Sequence, residues 1–280
     1  MGKLVFEVQR DTTLEDFLRK DAGVSKRMIS RLKRTENGIT RNGELVRTID
    51  KVYEGEEIVL KYEDTKLLEP NGNLDVKIAF ENENLIVFDK PVGMPVHPSI
   101  KHQGDTLGNF FAHKYPDLTF RPVNRLDRDT SGLCIVAKNA FSAAALQSDI
   151  EKIYYAVVSG NISGEGTIDA PIAREQESII KRIVREDGQR AVTHYKALSS
   201  NEKYSLLEIH LETVRTHQIR VHFAHIGHPL AGDDLYGGSR EDIECQALHC
   251  GCLTFREPVA DEPITVHSDI REDMERLVSV

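Results

Sequence analysis

The 280-residue chain has no tryptophan and only four cysteines and four methionines. It also lacks any run of about 18 or more apolar residues, the length at which a helix begins to be able to cross a bilayer. The N-terminus has no charged region followed by an apolar stretch and a cleavage site. A cytoplasmic chain with no membrane association is therefore expected. Cys134, Cys245, Cys250 and Cys252 are too few and too clustered for a disulfide framework. Their spacing, C-x4-C-x-C, matches no common zinc pattern, so reduced, mostly buried thiols are expected. No glycine-rich loop of the kind that cradles a nucleotide cofactor is present either.

A hydrophobic content of 40% is ample for a core, and the length suits one large domain with a small appendage. The net charge of −9 argues, as a total, against a nucleic-acid partner. Its distribution argues the other way. Residues 1–62 carry 13 Lys and Arg against 11 Asp and Glu, a net +2, while the remainder carries 23 against 34, a net −11. Between Arg19 and Arg34 seven basic residues face one acid, Asp21. Salt screens charges beyond roughly 10 Å, so a local basic stripe can hold phosphates whatever the total charge.

Within residues 1–62, Val5–Val8 suits a short strand, and Thr12 or Thr13 with Asp16 offers a cap for a helix through Leu14, Phe17 and Leu18 that ends near Gly23. Ser25 then caps a second helix. Its Met28, Ile29 and Leu32 fall on one side and leave Lys26, Arg27, Arg31 and Arg34 free, either as a solvated face or as a phosphate-binding one. Asn42-Gly43 signals a hairpin and Ile58–Leu60 a last strand. The polar, turn-rich stretch 63–73 reads as a linker to a body spanning 74–280.

That body opens with strand-like runs at 74–80 and 85–88, then a proline-rich loop from Asp89 to Pro98. Helices are expected over 106–113 and 140–147, and strands over 151–158, 192–198 and 204–211, with a hairpin turning at Asp187-Gly188. Successive hairpins imply antiparallel pairing and an α+β fold. Phe120 to Lys138 runs from a loop into an apolar, partly β-branched strand at 133–137, so Asp127 sits in the loop that feeds the sheet. Arg125 and Arg128 flank it and favour a carboxylate there, suited to act as a nucleophile or an electrostatic partner. An Asx-turn would use the same residue differently. Histidines at 217, 222, 225 and 228 invite a metal reading, but H-x4-H-x2-H is not the zinc-protease pattern and has no carboxylate among them.

Arg125-Leu126-Asp127-Arg128-Asp129-Thr130-Ser131-Gly132 resembles the R-L-D-x-x-T-S-G signature of the RluA-type pseudouridine synthases. So do Lys90 to Pro98 (K-P-x-G-x-x-V-H-P), Lys152 to Ala156 (K-x-Y-x-A), Arg215 to His222 (R-T-H-Q-I-R-V-H), His228 to Gly237 and Gln246 to His249. The chain departs from the pattern at Asn124, where His is usual, at Val214, where Gly is usual, and at Cys245, where Arg is common. Residues 14–60 resemble the α-L RNA-binding module that accompanies many of these enzymes.

The resemblance implies a large mixed, mainly antiparallel sheet with flanking helices, and isomerisation of uridine in RNA without cofactor or metal. It implies that Asp127 is catalytic, that Tyr154 lies in the active site, and that Arg215 pairs with Asp127. Arg125 joins the basic residues of the second helix as an RNA contact. Ribosomal RNA is favoured over transfer RNA as partner, with no obligatory protein partner and a monomeric chain. The competing expectations are a non-catalytic RNA-binding or ribosome-assembly factor and, more remotely, a metal-dependent nuclease.

Overall fold

The computed structural model describes residues 2–24, 26–62, 68–146, 150–176 and 180–279. It divides into two compact units, Met1–Lys66 and Leu67–Val280.

In the small unit a four-stranded sheet runs in the order Gly2–Glu7, Glu57–Tyr62, Ile39–Arg41, Glu44–Leu45. Asn42 and Gly43 both take positive φ, 49° and 89°, as a tight two-residue hairpin requires. Thr13 caps the first helix by accepting from Asp16 N–H. After one turn, at Leu14–Asp16, the helix widens into a π-helical segment, Phe17–Asp21, before Gly23 turns the chain at φ 64°. Leu14, Phe17, Leu18, Ile29 and Leu32 meet the sheet residues Ile58 and Leu60 in one buried cluster. Ser25, the expected cap of the helix Lys26–Leu32, lies outside the described residues.

The expected linker is shorter than its sequence suggested. Residues 63–67 lie outside the described residues, but the stretch from 68 onward packs on the large unit. Asn109 Nδ2 donates to Glu69 O at 2.8 Å, and Asn71 Nδ2 to Gly104 O at 2.7 Å. Polar composition signalled a linker, yet those amides serve as tethers.

The large unit is built on a ten-stranded sheet. Its main path runs Glu165–Asp169, Val192–Ser200, Tyr204–Leu211, Glu151–Ser159, Leu248–Arg256, Ser131–Ala137, Leu85–Lys90, Lys77–Glu81. Every neighbouring pair on this path is antiparallel except one. Ser131–Ala137 meets Leu248–Arg256 in parallel, through Ser131↔His249 and Gly132↔Cys250. Gly132 has φ 104°, and a Cβ there would lie 2.3 Å from Cys250 O, so no larger residue fits this seam. Leu85–Phe88 and Leu133–Ala137 are fully buried, which is why they read as continuous apolar runs rather than alternating ones. Each large side chain so buried contributes roughly 1.5–3 kcal/mol.

Around residue 187 the pairing differs from expectation. Arg182–Val184 pairs with Ile172–Arg174, and Asp187-Gly188 makes only a local turn, with Gly188 N–H donating to Arg185 O at 2.8 Å. Short polar segments carry little register information.

Candidate active site

The site lies where the two halves of the sheet join. Asp127 sits in the loop entering Ser131–Ala137, with Thr130 N–H donating to Asp127 O at 3.2 Å. Three contacts fix this loop from below and behind. Gln246 Nε2 donates to Thr130 Oγ1 at 2.9 Å, Ser131 Oγ lies 2.9 Å from His249 Nδ1, and Lys90 Nζ donates to Arg128 O at 3.0 Å and Pro91 O at 2.8 Å. Lys90 is fully buried, and burial lowers its pKa from 10.5 to about 8. A positive group is thus held under the backbone of the loop, next to the carbonyls it satisfies.

The Asp127 side chain is 32% exposed and opens into a small, open-mouthed cleft. Tyr154, Ile219 and Leu248 form apolar walls, while Arg125, Val214 and Arg215 also line the cleft. Among the described residues lining it, Asp127 is the one carboxylate.

The cation paired with that carboxylate is Arg220, not Arg215. Arg220 Nη1 donates to Asp127 Oδ2 at 3.0 Å, while its Nε and Nη2 form a fork onto Asp233, 2.7 and 2.8 Å away. The Arg220 guanidinium also lies over the Tyr236 ring, 5.0 Å from its centroid. Burial alone would lower the Arg220 pKa, but the bonds and charges of Asp233 and Asp127 outweigh it and raise it. Asp233 is held in place by a close approach. Its neighbour Gly232 has φ 75°, and a Cβ there would lie 2.2 Å from Cys245 O.

Arg215 lines the same cleft, but its Nε donates to Arg190 O at 3.2 Å and its Nη1 to Val214 O at 3.3 Å. The reason is where the helix starts. His217 takes left-handed backbone, φ 57°, and the helix Gln218–His225 begins after it. Arg215 is thereby left in the preceding loop, and Arg220 is buried in the first turn. Gln218 locks that loop. Its Oε1 accepts from Arg215 N–H and Thr213 Oγ1, and its Nε2 donates to Val192 O and Thr193 Oγ1. Arg128 likewise turns away from Asp127 and forks onto Asp129 at 2.9 and 2.8 Å. The local field expected from Arg128 comes instead from Arg220.

Tyr154 is buried and faces the cleft, while Tyr155 points to the other face of the sheet and covers Gly251, as alternation along a strand requires. Burial, then the neighbouring Cys250 and Asp127, push the Tyr154 phenol well above its usual 10.0. It therefore stays neutral, an apolar wall with one donatable proton.

Of the histidines on and after the helix, His225 is exposed, while His222 and His228 are engaged in structure. His222 is fully buried between Thr193 Oγ1 and Ala170 O, at 2.8 and 2.9 Å, and His228 Nδ1 meets Ser159 O at 2.7 Å. His217 was missed as a site residue in the sequence. It lines the cleft with Nε2 3.6 Å from Asp127 Oδ2, and what could have singled it out is its place between two arginines in the same motif as the site.

The three departures from the family pattern are each accommodated. Asn124 pairs with strand backbone, donating to Leu133 O at 3.1 Å and accepting from Ile135 N–H at 2.8 Å. Val214 is exposed and is not among the positive-φ residues, so it carries no left-handed strain. Cys245 has Arg271 Nη2 3.8 Å from its sulfur. Of the basic residues proposed for RNA, Arg125 lies exposed at the cleft, and Lys26, Arg31 and Arg34 are exposed on the small unit; the Arg27 side chain lies outside the described ones.

A family model described as RNA pseudouridylate synthase matches residues 84–225. The chain is 38% identical over 273 residues to a Bacillus subtilis protein named uncharacterized RNA pseudouridine synthase YjbO, covering 92% of this chain and 95% of that one. It is 36% identical over 262 residues to the ribosomal large subunit pseudouridine synthase D of Xanthomonas campestris, covering 85% and 79%. Among solved structures, human RNA pseudouridylate synthase domain containing 1 superposes with a TM-score of 0.61 at 25% identity, covering 72% of this chain and 86% of that one.

Proposed function

The chain belongs to the RNA pseudouridylate synthase family and is an isomerase acting on uridine in RNA, and we propose that Asp127 is the group that engages the target nucleotide. The observation that carries this is that Asp127 is the one carboxylate among the described residues lining the cleft, and a guanidinium holds one of its two oxygens. Isomerisation breaks N1–C1′, joins C5 to C1′ and moves the C5 proton to N1, so no electrons are gained or lost. A fixed carboxylate beside the sugar suits this chemistry, whether it adds to the nucleotide or removes a sugar proton.

The base must leave its stack to reach Asp127, at a cost of a few kcal/mol that is smallest in loops and bulges. Tyr154 and Leu248 then offer the everted pyrimidine apolar surface, and the neutral phenol supplies a donor. Arg125 and Arg215, at the cleft, are suited to the phosphates on either side of the flipped residue. Lys26, Arg27, Arg31 and Arg34 of the small unit add sequence-independent attraction to the RNA.

The substrate we propose is large-subunit ribosomal RNA. Its support is the relative named for that subunit, 36% identical over most of both chains, together with the basic small unit. Tritium release from RNA labelled at uridine C5 tests the catalytic assignment. Asp127→Asn is expected to release none above background while binding RNA as before, and turnover by that variant rejects the assignment. Pseudouridine mapping of RNA from cells lacking the protein tests the substrate, and unchanged ribosomal RNA sends the search elsewhere.

A further inference from the structure

We propose that His217 is a positioning residue for Asp127, acting with Arg220 on a single carboxylate oxygen so that the other, Oδ1, is the one presented to the nucleotide. This rests on the reading of Asp127 as the reacting group.

Three observations lead to it. First, His217 is held on left-handed backbone, φ 57°, a conformation uncommon outside glycine and one that often accompanies function. Second, its ring is fixed. The side chain is 8% exposed, packs edge-on to Tyr236 at 88°, and has Nδ1 2.8 Å from Tyr236 Oη. Tyr236 Oη accepts from Arg182 N–H at 2.9 Å and keeps its own proton to give to Nδ1, whereas the opposite tautomer would set an Nε2 lone pair against the Asp127 carboxylate. Nδ1 is then the acceptor, and the imidazole proton sits on Nε2. Third, that Nε2 faces Asp127 Oδ2 at 3.6 Å, the same oxygen that Arg220 Nη1 holds at 3.0 Å. Among the described residues no donor reaches Oδ1.

At 3.6 Å the histidine contact is longer than a hydrogen bond, but catalytic bonds often tighten only once substrate is bound. A base filling the cleft displaces water and favours closure of Nε2–H onto Oδ2. Two donors on one oxygen fix the plane of the carboxylate and leave Oδ1 uncommitted toward the sugar.

The groups facing His217 are Asp127 and Asp233, which raise its pKa, and Arg220 and Arg182, which lower it, with Tyr236 at Nδ1. Burial is the largest influence, and the pKa lies below the usual 6.5. The neutral ring is therefore the working form. As pH falls through that pKa, the imidazolium pairs with Asp127 and turnover drops.

The test uses the full-length protein and C5-tritiated total RNA from cells lacking it, with single-turnover rates measured against pH. His217→Asn keeps a residue that tolerates left-handed backbone, and Tyr236→Phe frees the tautomer. His217→Asn is expected to slow the reaction about tenfold, to leave RNA affinity unchanged and to lose the acid limb; Tyr236→Phe should fall between it and the parent. In 15N-histidine spectra of the parent protein, the resonance assigned to His217 through its contact with the Tyr236 ring should report protonation at Nε2, a readout that stands even if His217→Asn folds poorly. A parental rate and acid limb in His217→Asn, or a proton found on Nδ1, overturns the proposal. Asp127→Asn separates the two layers. If it is inert while His217→Asn runs at full rate, only the role of His217 falls, whereas turnover by Asp127→Asn removes the reading beneath it.

Discussion

Lys26, Arg31 and Arg34 on the small unit and Arg220 in the large one carry the same sign of charge in opposite surroundings. The first three are exposed, on stems that water and salt reach. Arg220 is 6% exposed and makes three hydrogen bonds to two carboxylates. An exposed cation acts through number and proximity, and its effect is graded and screened. A buried guanidinium acts through geometry, and its loss strands its partners. The same residue type therefore has two kinds of consequence, and mutation can tell them apart.

The sharpest break of this contrast is at Arg220. Arg220→Met leaves Asp233, whose side chain is 1% exposed, without its counter-charge, and is expected to destabilise the large unit by about 3–5 kcal/mol and abolish turnover. Arg220→Lys keeps a charge but not the fork. It should fold, and lose about 100-fold or more in rate, the equivalent of roughly 2.7 kcal/mol. Urea melts and tritium release check both, and a Lys variant with parental turnover would show that charge alone suffices in the cleft.

The opposite arm is the triple variant Lys26→Ala, Arg31→Ala, Arg34→Ala. Its binding to RNA should weaken, and the slope of log affinity against log salt should flatten by roughly 0.7 to 0.9 for each phosphate contact removed. The single-turnover rate at saturating enzyme should stay parental. A lowered saturated rate would mean that these exposed residues do more than attract.

How far this contrast could be read in the sequence differs by residue. The strands at 85–90, 131–137, 192–200 and 204–211 announce themselves, because burial on both faces or turns at both ends leave a local pattern. Asp127 was legible because its neighbours form a dense motif around it. Arg220 was not, although it lies in the same motif as Arg215. Choosing between them required knowing that left-handed His217 starts the helix at Gln218, and a single backbone angle leaves no periodic trace. An Arg between two apolar residues, Ile219 and Val221, with an Asp-Asp pair at 233–234 downstream, was the available hint. The parallel seam at Gly132 was likewise hidden, since it joins residues more than a hundred positions apart.

A smaller, global effect sharpens the account of the buried histidines. His97, His217, His222 and His249 all have pKa values lowered below 6.5, burial being the largest cause in each. The native state holds them neutral, so below pH 6.5 the unfolded chain takes up protons that the folded chain refuses. Stability from these groups is full above about pH 6.5 and is lost as pH falls toward and through the depressed folded values. The carboxylates lowered by their partners, such as Glu81 and Glu257, act only below about 4.5. Urea midpoints between about pH 7.5 and 5 should therefore decline, and His222→Gln should flatten the decline. A flat profile in the parent protein would mean that these rings are protonated in place.

The smallest effect expected is at Arg215. Its guanidinium reaches two backbone carbonyls, Arg190 O and Val214 O, and among the described residues no carboxylate. Truncation strands no buried charge, and surface changes of this kind usually fall within about 0.5 kcal/mol. Arg215→Ala should accordingly leave the urea midpoint in place and weaken RNA binding slightly through one lost phosphate contact, with a saturated rate close to parental. The informative failure is a saturated rate that collapses while RNA affinity holds. That outcome would mean that the guanidinium leaves its carbonyls and swings to Asp127 once RNA is bound, so that Arg220 builds the floor of the site and Arg215 completes it. A double-mutant cycle between Arg215→Ala and Asp127→Glu would then show coupling, whereas independent residues should give none beyond about 0.5 kcal/mol.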